Sequence, residues 1–146
     1  LNYLKKGYQY FENALDKLQK NHPGKIEIRR TKNLPFDEYV KHLESCDILL
    51  DAIFYYDQGY NALEAMARGK VVFTGAETEF MEHYNLKHRV CINSLPDVDQ
   101  IYSELESLVL NQEKINEIGK KARKFIEQEH HHKTVAKKYI QVWKDN

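Results

Sequence analysis

The chain has 146 residues, with 22 basic and 22 acidic side chains and therefore no net formal charge. This length fits one domain with a real hydrophobic core, and two domains would be cramped. Zero net charge provides no overall field that would attract nucleic acid or an anionic membrane, so neither is expected as a partner on this ground.

No apolar run approaches the roughly 20 residues that cross a bilayer, and no signal peptide is recognised, so we expect a soluble chain. Cys46 and Cys91 lie far apart, without a C-x-x-C pairing or a catalytic signature, which favours reduced thiols and a cytoplasmic location. Because Leu1 leads straight into a helical pattern with no preceding strand, we expect a piece of a longer chain.

Strand and helix patterns alternate along the sequence. Apolar residues at helical spacing predict helices, whereas short apolar runs and strict alternation predict strands. The predicted elements are a helix over 7–21, a strand over 25–30, a helix over 36–46, a strand over 47–54, a helix over 61–68, a strand over 71–74, a helix over 79–84, a strand over 90–92, and three terminal amphipathic helices. This order predicts an α/β fold, a Rossmann-like doubly wound parallel sheet of roughly four strands flanked by helices.

Residues 55–75 are the most informative segment, because they join two buried strands through one short helix. Gly59 stands at the start of that helix and Gly69 at its end. A helix that opens at the carboxyl ends of parallel strands points unpaired N–H groups and its positive dipole at an anion. Glu64, one turn inside, can accept two hydrogen bonds from vicinal hydroxyls. The segment therefore favours a ribose beside a phosphate.

Packing this helix on the sheet also predicts which side chains are buried. We expect Phe54, Leu63, Met66 and Phe73 in the core, while Glu64 reaches the cleft.

Residues 59–72 read Gly-Tyr-Asn-Ala-Leu-Glu-Ala-Met-Ala-Arg-Gly-Lys-Val-Val. They resemble the G-x-x-x-x-E-A-M-A-x-G-x-P-V segment of GT-B glycosyltransferases, especially the group 1 or family 4 type. The pair Lys6-Gly7 and the terminal helices are similar to the carboxy-terminal, donor-binding half of that fold. The resemblance implies one nucleotide-sugar-binding domain over residues 1–146, truncated at its N-terminus, with the domain's first strand missing.

The resemblance also implies roles for particular residues. Glu64 would bind the ribose hydroxyls of a nucleotide sugar, and Lys6 would neutralise the donor diphosphate, unless it is only a surface lysine beside Lys5. The implied substrate-binding residues are Lys6, Tyr56, Asp57, Gln58, Gly59, Tyr60, Asn61 and Glu64. The loop of Lys32, Asn33 and Leu34 would read the nucleobase, or it is a plain connection.

One position departs from the family pattern. The family has a second glutamate eight residues before the first, and Tyr56 stands there. Asp57 and Gln58 either supply the missing polar contact or form an ordinary polar turn. Tyr55, Tyr56 and Tyr60 either stack on a base or sugar ring or contribute to packing. The family's partner arginine would lie upstream of Leu1.

Metal binding is not expected. His130, His131 and His132 are consecutive, and three consecutive residues cannot all face one ion, so the tract is read as a polar break between helices. The resemblance accordingly implies metal-independent glycosyl transfer without a cofactor. The catalytic residues are unknown, because the other domain is expected to contribute them.

The full expectation is a donor-binding domain of a glycosyltransferase, inactive alone. Its donor would be a UDP- or GDP-sugar, its acceptor is unknown, its pathway would be glycan or polysaccharide biosynthesis, and its partner would be the missing N-terminal domain. The domain would be cytoplasmic, with peripheral membrane contact through that missing domain. An alternative is a non-catalytic Rossmann-like nucleotide-binding or regulatory module, which Tyr56 favours. A flavodoxin-like or response-regulator domain is disfavoured because no acidic pocket follows an early strand.

Overall fold

Helices alternate with short strands along residues 5–145, the part of the chain that the computed structural model describes. In chain order the elements are α1 (Tyr8–Asn21), α2 (Phe36–Ser45), β1 (Ile48–Leu50), α3 (Tyr60–Ala67), β2 (Val71–Thr74), α4 (Thr78–His83), β3 (Ile92–Asn93), α5 (Val98–Val109), α6 (Gln112–Glu129) and α7 (His132–Lys144). The four helices for which the sequence predicted bounds are confirmed, and each observed end lies within one or two residues of the predicted end.

The three strands form a parallel sheet in the order β1-β2-β3. Leu49 pairs with Val72, and Phe73 pairs with Ile92. Because side chains alternate along a strand, Phe73 faces one layer of helices and Val72 faces the other. The predicted α/β fold, with parallel strands between two helical layers, is therefore confirmed.

Each face of the sheet has its own core. Helices α1 and α5 cover the first face with, among others, Phe11, Leu18, Ile101, Leu105 and Leu108. Helices α2, α3, α4 and α6 cover the second face with Leu43, Ala65, Met66, Phe80 and Phe125. Helix α3, which begins after Gly59, is thus held by its apolar side, while its first turn lies at the carboxyl end of the sheet.

The prediction of a strand over residues 25–30 is wrong, because the structure has no strand there. Ile26 and Ile28 are half-buried between exposed neighbours, and Ile26 packs on the first core, which explains the alternation. No backbone hydrogen bond joins this segment to another described residue beyond Lys25, and a strand requires such a partner. The sheet therefore has three strands, not four, among the residues that the structure describes.

The strand predicted over residues 47–54 is shorter than expected, since β1 ends at Leu50. Phe54 consequently lies in the following loop and is 50% exposed, so its predicted burial is wrong. Its ring packs edge-on against Tyr10, with the centroids 6.1 Å apart. Phe73 and Met66 are fully buried as predicted, whereas Leu63 is only half-buried.

A polar cluster joins α1 to α5. His22 Nε2 lies 2.7 Å from Glu106 Oε1, and the Tyr102 hydroxyl donates to the same carboxylate. Asn21 Nδ2 donates to the Tyr102 oxygen at 2.9 Å. The hydrogen bonds from His22 and then Tyr102 lower the pKa of Glu106 below its ordinary value of 4.5.

This cluster predicts a loss of stability in acid. Because the pKa of Glu106 is lower in the folded chain, its contribution is present above pH 4.5 and disappears as the pH falls through the folded value. Denaturant unfolding between about pH 3 and pH 7 should show a shallower acid loss for Glu106→Gln than for wild type. The exposed Glu113→Gln serves as control. If Glu106→Gln and wild type had identical pH profiles, the cluster would not contribute to stability.

Candidate functional site

Lys6 and Gly7 are fixed against the carboxyl end of β1. The Ile53 N–H donates to the Lys6 carbonyl at 3.0 Å, and a Cβ on Gly7 would lie 3.0 Å from the Ile53 Cβ. Gly7 adopts a left-handed conformation with φ of 70°, which lets the chain turn into α1 at this close contact. The Lys6 side chain is thereby directed to the end of the sheet.

Asp51 receives that side chain. It follows β1 directly, its N–H donates to the Phe73 carbonyl at 2.9 Å, and it is buried. Lys6 Nζ lies 2.7 Å from Asp51 Oδ1. Burial alone would lower the pKa of Lys6, but the hydrogen bond and charge of Asp51 outweigh it and raise that pKa. Lys6 is therefore a firmly charged cation at neutral pH.

A cleft of about 160 Å³ opens beside this ion pair. Its lining residues are Lys6, Asp51, Tyr55, Gly59, Tyr60 and Asn61. Gly59 is the N-cap of α3, and no side chain caps this helix. The N–H groups of the first turn therefore have no intrahelical acceptor and present positive partial charge next to the lysine. Such an arrangement can hold an anionic group such as a phosphate.

The match with known sequences agrees with this geometry. A family model described as glycosyl transferase-like matches residues 7–141. The chain belongs to this glycosyl transferase-like family. The resemblance seen in residues 59–72 is confirmed, and the match extends from Gly7 into α7. No curated protein matches the chain.

Four predicted site residues of this glycosyl transferase-like domain meet in the cleft, namely Lys6, Gly59, Tyr60 and Asn61. Two further lining residues, Asp51 and Tyr55, were not among the predicted ones. Asp51 had a visible signal, because it is a carboxylate inside the apolar run of residues 47–54. Tyr55 is one of the tyrosines that either stack on a base or sugar ring or contribute to packing, and the structure places it in the lining of the cleft.

Gln58 is buried and connects the loop of residues 55–59 to the residue that follows β2. Its Nε2 donates to the Gly75 carbonyl at 2.7 Å. The Gln58 Oε1 is buried without a partner in the described structure. Gln58 therefore fastens the loop of residues 55–59 to the end of β2, which positions the N-terminus of α3.

Tyr56 and Asp57 do not line the cleft. Tyr56 is 78% exposed, at the position where the family has a glutamate. Asp57 accepts a hydrogen bond from the Gln58 N–H at 2.7 Å. Burial raises the pKa of Tyr84, and the charge of Asp57 adds to that rise, so the Asp57 carboxylate lies near α4. Neither side chain supplies an acidic group to the cleft in this conformation.

Glu64 lies one turn into α3 and outside the cleft lining. Its Oε1 is 3.0 Å from Arg68 Nη1, and both side chains are 30% exposed. Tyr39 of α2 is close by, since burial and then the charges of Glu64 and Asp51 raise the pKa of Tyr39. The Tyr39 hydroxyl is itself buried without a hydrogen-bond partner in the described part of the chain.

The loop of Lys32, Asn33 and Leu34 precedes α2 and does not line the cleft. Lys32 and Asn33 are exposed, and Asn33 has a left-handed backbone with φ of 53°. The structure does not bring these residues next to Lys6 in the lining of the cleft.

A larger cleft of about 280 Å³ lies beside the edge strand β3. Its cation, Arg89, is already 2.6 Å from Glu104, and Gln100 Nε2 donates to the Asn93 carbonyl. Helix α5, which contributes Gln100 and Glu104 to this cleft, has its N-terminus capped by the Asp97 side chain, which accepts from the Asp99 and Gln100 N–H groups. The smaller cleft is therefore the better candidate for an anion site, because of the chemistry of its lining and despite its smaller volume.

Residues 5–145 contain neither a cluster of metal-ligating side chains nor a membrane-spanning helix. No group of three or more His, Cys, Asp or Glu side chains is arranged to hold a metal ion. His132 begins α7, and His130 and His131 separate it from α6. None of the described helices combines the length and apolar character needed to span a bilayer.

Proposed function

We propose that this domain binds the nucleotide-sugar donor of a glycosyltransferase, with the donor diphosphate in the cleft between Lys6 and the N-terminus of α3. One observation carries the proposal: a charged lysine and uncapped helical N–H groups converge on the same small cleft. A diphosphate matches both, because it carries charge for the lysine and oxygen acceptors for the N–H groups.

The same groups would assist the reaction. When the bond between the sugar and the diphosphate breaks, negative charge develops on the departing phosphate oxygen. Lys6 stays protonated because Asp51 holds its pKa high, so it can stabilise that charge without delivering a proton. The helical N–H groups are fixed before the reaction starts, which makes transfer independent of a metal in this proposal.

The nucleoside would extend from the cleft along α3 and α2. Glu64 would accept hydrogen bonds from the two ribose hydroxyls, since a carboxylate has more acceptor sites than Arg68 occupies. The backbone of residues 32–34 would read the base, with UDP- and GDP-sugars as the candidate donors. These assignments rest on the family resemblance, because neither Glu64 nor residues 32–34 line the cleft.

The proposal includes a second domain that the described residues do not contain. Residues 1–146 would form one donor-binding domain, while a partner domain of the same longer protein supplies the acceptor site and catalytic residues. The domain alone would bind donor but not transfer sugar. A cytoplasmic location is also proposed, in keeping with the two free cysteines.

Calorimetry with millimolar ligand tests the diphosphate site. We expect UDP or GDP to bind more tightly than the corresponding nucleoside, because only the diphosphate reaches Lys6 and the first turn of α3. The difference should shrink as salt is raised, as it does for charge interactions near a surface. Equal affinity of uridine and UDP, and of guanosine and GDP, would contradict the diphosphate site.

The variant Glu64→Ala tests the ribose contact, and its binding is measured with whichever of UDP and GDP binds to the wild type. Losing hydrogen bonds to a charged group should weaken binding by about 1.5 to 3 kcal/mol, which is roughly 10- to 150-fold. The matched control is Glu79→Ala, an exposed glutamate in the first turn of α4. Equal binding by Glu64→Ala and wild type would remove Glu64 from the site.

A non-catalytic nucleotide-binding or regulatory module is the second candidate. The observation that favours it is that Tyr56 points its exposed ring outward where the family has a glutamate, so the cleft has no free carboxylate. Under this candidate, the full-length protein binds nucleotide but shows no transfer or hydrolysis of any donor sugar. Detecting either activity in the full-length protein would reject it.

A further inference from the structure

Tyr60 is the exposed one of the two tyrosines that line the cleft. It is the first residue of α3, beside Lys6 and Gly59 in the lining, and it is 91% exposed, whereas Tyr55 is half-buried. Within residues 5–145 the Tyr60 side chain forms no hydrogen bond and stacks on no other ring. Because this ring buries almost no apolar area, it contributes little to the stability of the fold. Its free face is available to a molecule that enters the cleft.

The geometry of α3 determines where the Tyr60 ring lies relative to Glu64. Residues four apart share one face of a helix, so these two side chains lie one turn apart on the same face. Side chains in a helix lean toward its N-terminus, so Tyr60 leans away from Glu64 and past Gly59. A Cβ added to Gly59 would meet nothing within 4 Å, which shows that the space there is open. The ring therefore borders the open space in front of the N-terminus of α3.

This space corresponds to the sugar end of a bound donor. A nucleotide sugar is a linear arrangement in which base, ribose, diphosphate and sugar follow one another. The proposed function, on which this inference rests, has the ribose at Glu64 and the diphosphate between Lys6 and the first turn of α3. The group beyond the diphosphate then continues past the N-terminus of α3. That group is the sugar, and it meets the ring of Tyr60.

We propose that the ring of Tyr60 stacks on the sugar of the donor and thereby helps to select a pyranose. The C–H bonds of a pyranose carry a small positive partial charge, and the face of an aromatic ring carries a negative one. The two surfaces therefore attract each other in addition to excluding water from their apolar contact. The substrate class is a nucleoside diphosphate linked to a pyranose, of which UDP-glucose and GDP-mannose are examples.

Two other groups compete for this ring, and each gives a different result when the ring is removed. A nucleobase stacked on Tyr60 would make the binding of UDP and of UDP-glucose equally dependent on the ring. A partner domain that covers the ring would leave nucleotide binding by this chain independent of it. The sugar is favoured over both because Tyr60 lines the same cleft as Lys6, on the side of the diphosphate away from Glu64.

Calorimetry with UDP and UDP-glucose, or with GDP and GDP-mannose if guanosine is the nucleoside that binds, tests the stacking. Tyr60→Ala should bind the sugar conjugate roughly three- to tenfold more weakly, as expected for the loss of one aromatic contact. It should bind the diphosphate alone as wild type does, because the N–H groups of α3 remain. Tyr60→Phe keeps the ring and should bind the conjugate as wild type does. Tyr139→Ala removes an exposed tyrosine on α7 and is the matched control, with wild-type binding of both ligands.

Two results would overturn the sugar contact while leaving the proposed function in place. One is wild-type binding of the sugar conjugate by Tyr60→Ala, and the other is an equal loss for the conjugate and the diphosphate alone. If wild type binds neither UDP nor GDP, the proposed function itself fails and the sugar contact with it. Thermal unfolding of each variant checks the fold, and an exposed side chain such as Tyr60 should leave the melting temperature nearly unchanged.

Discussion

Replacing Lys6 by methionine is expected to lower the free energy of unfolding by about 3 kcal/mol. The reason is the buried Asp51, whose carboxylate would lose the cation 2.7 Å away. Breaking a buried ion pair from one side costs more than the pair contributes, because an uncompensated charge stays behind. The expected value is at the low end for buried pairs, since the Lys6 side chain is 20% exposed. Denaturant unfolding at neutral pH measures the change.

Lys5 provides the matched control, because it is exposed and next in sequence. Lys5→Met should change stability by no more than about 0.5 kcal/mol. Adding Asp51→Leu to Lys6→Met should restore most of the lost stability, since replacing both partners by apolar groups is often neutral. If Lys6→Met and Lys5→Met had the same small effect, the ion pair would not hold the cleft together.

The fold class could be predicted from sequence because it depends on local patterns. The residues of β2 are β-branched or aromatic, and Gly69 follows α3 with a left-handed φ of 71°, as expected for a glycine that ends a helix. These signals lie within a few residues of the structure they specify. The position of α3 between β1 and β2 followed from them, and the family match supports it.

The strand over residues 25–30 could not be excluded in the same way. Its alternation of Ile26 and Ile28 is a real packing pattern, but a strand is defined by hydrogen bonds to a neighbour. Whether a neighbour is present depends on residues distant in sequence. Arg29 bonds Ser45 and Arg30 bonds Glu12, so this segment is held by side chains and not by a ladder.

The cleft was predicted in part for a similar reason. Gly59, Tyr60 and Asn61 are adjacent in sequence, so one motif located all three. Asp51 contributes through a contact with Lys6, 45 residues away, and no local pattern specifies such a pairing. The partner of Glu64 in the structure is local, because Arg68 is four residues further along the same helix. The sequence resemblance implied only a contact between Glu64 and a ribose, so this ion pair was not predicted.

The second large effect is expected for Gly75→Ala, which should destabilise the fold by about 3 kcal/mol or more. A Cβ at this position would lie 1.4 Å from the Tyr55 carbonyl oxygen, so the loop of residues 55–59 must move away from the end of β2. That movement would break the bond from Gln58 Nε2 to the Gly75 carbonyl and leave a buried amide without its acceptor.

Thermal and denaturant unfolding measure this loss, and Gly59→Ala is the control. A Cβ on Gly59 meets nothing within 4 Å, and its φ of −75° suits any residue, so stability should change by no more than about 0.5 kcal/mol. Because Gly75 acts through the loop that positions α3, nucleotide binding by any folded fraction of Gly75→Ala should also weaken. Wild-type stability of Gly75→Ala would show that the contact between Tyr55 and Gly75 does not position the cleft.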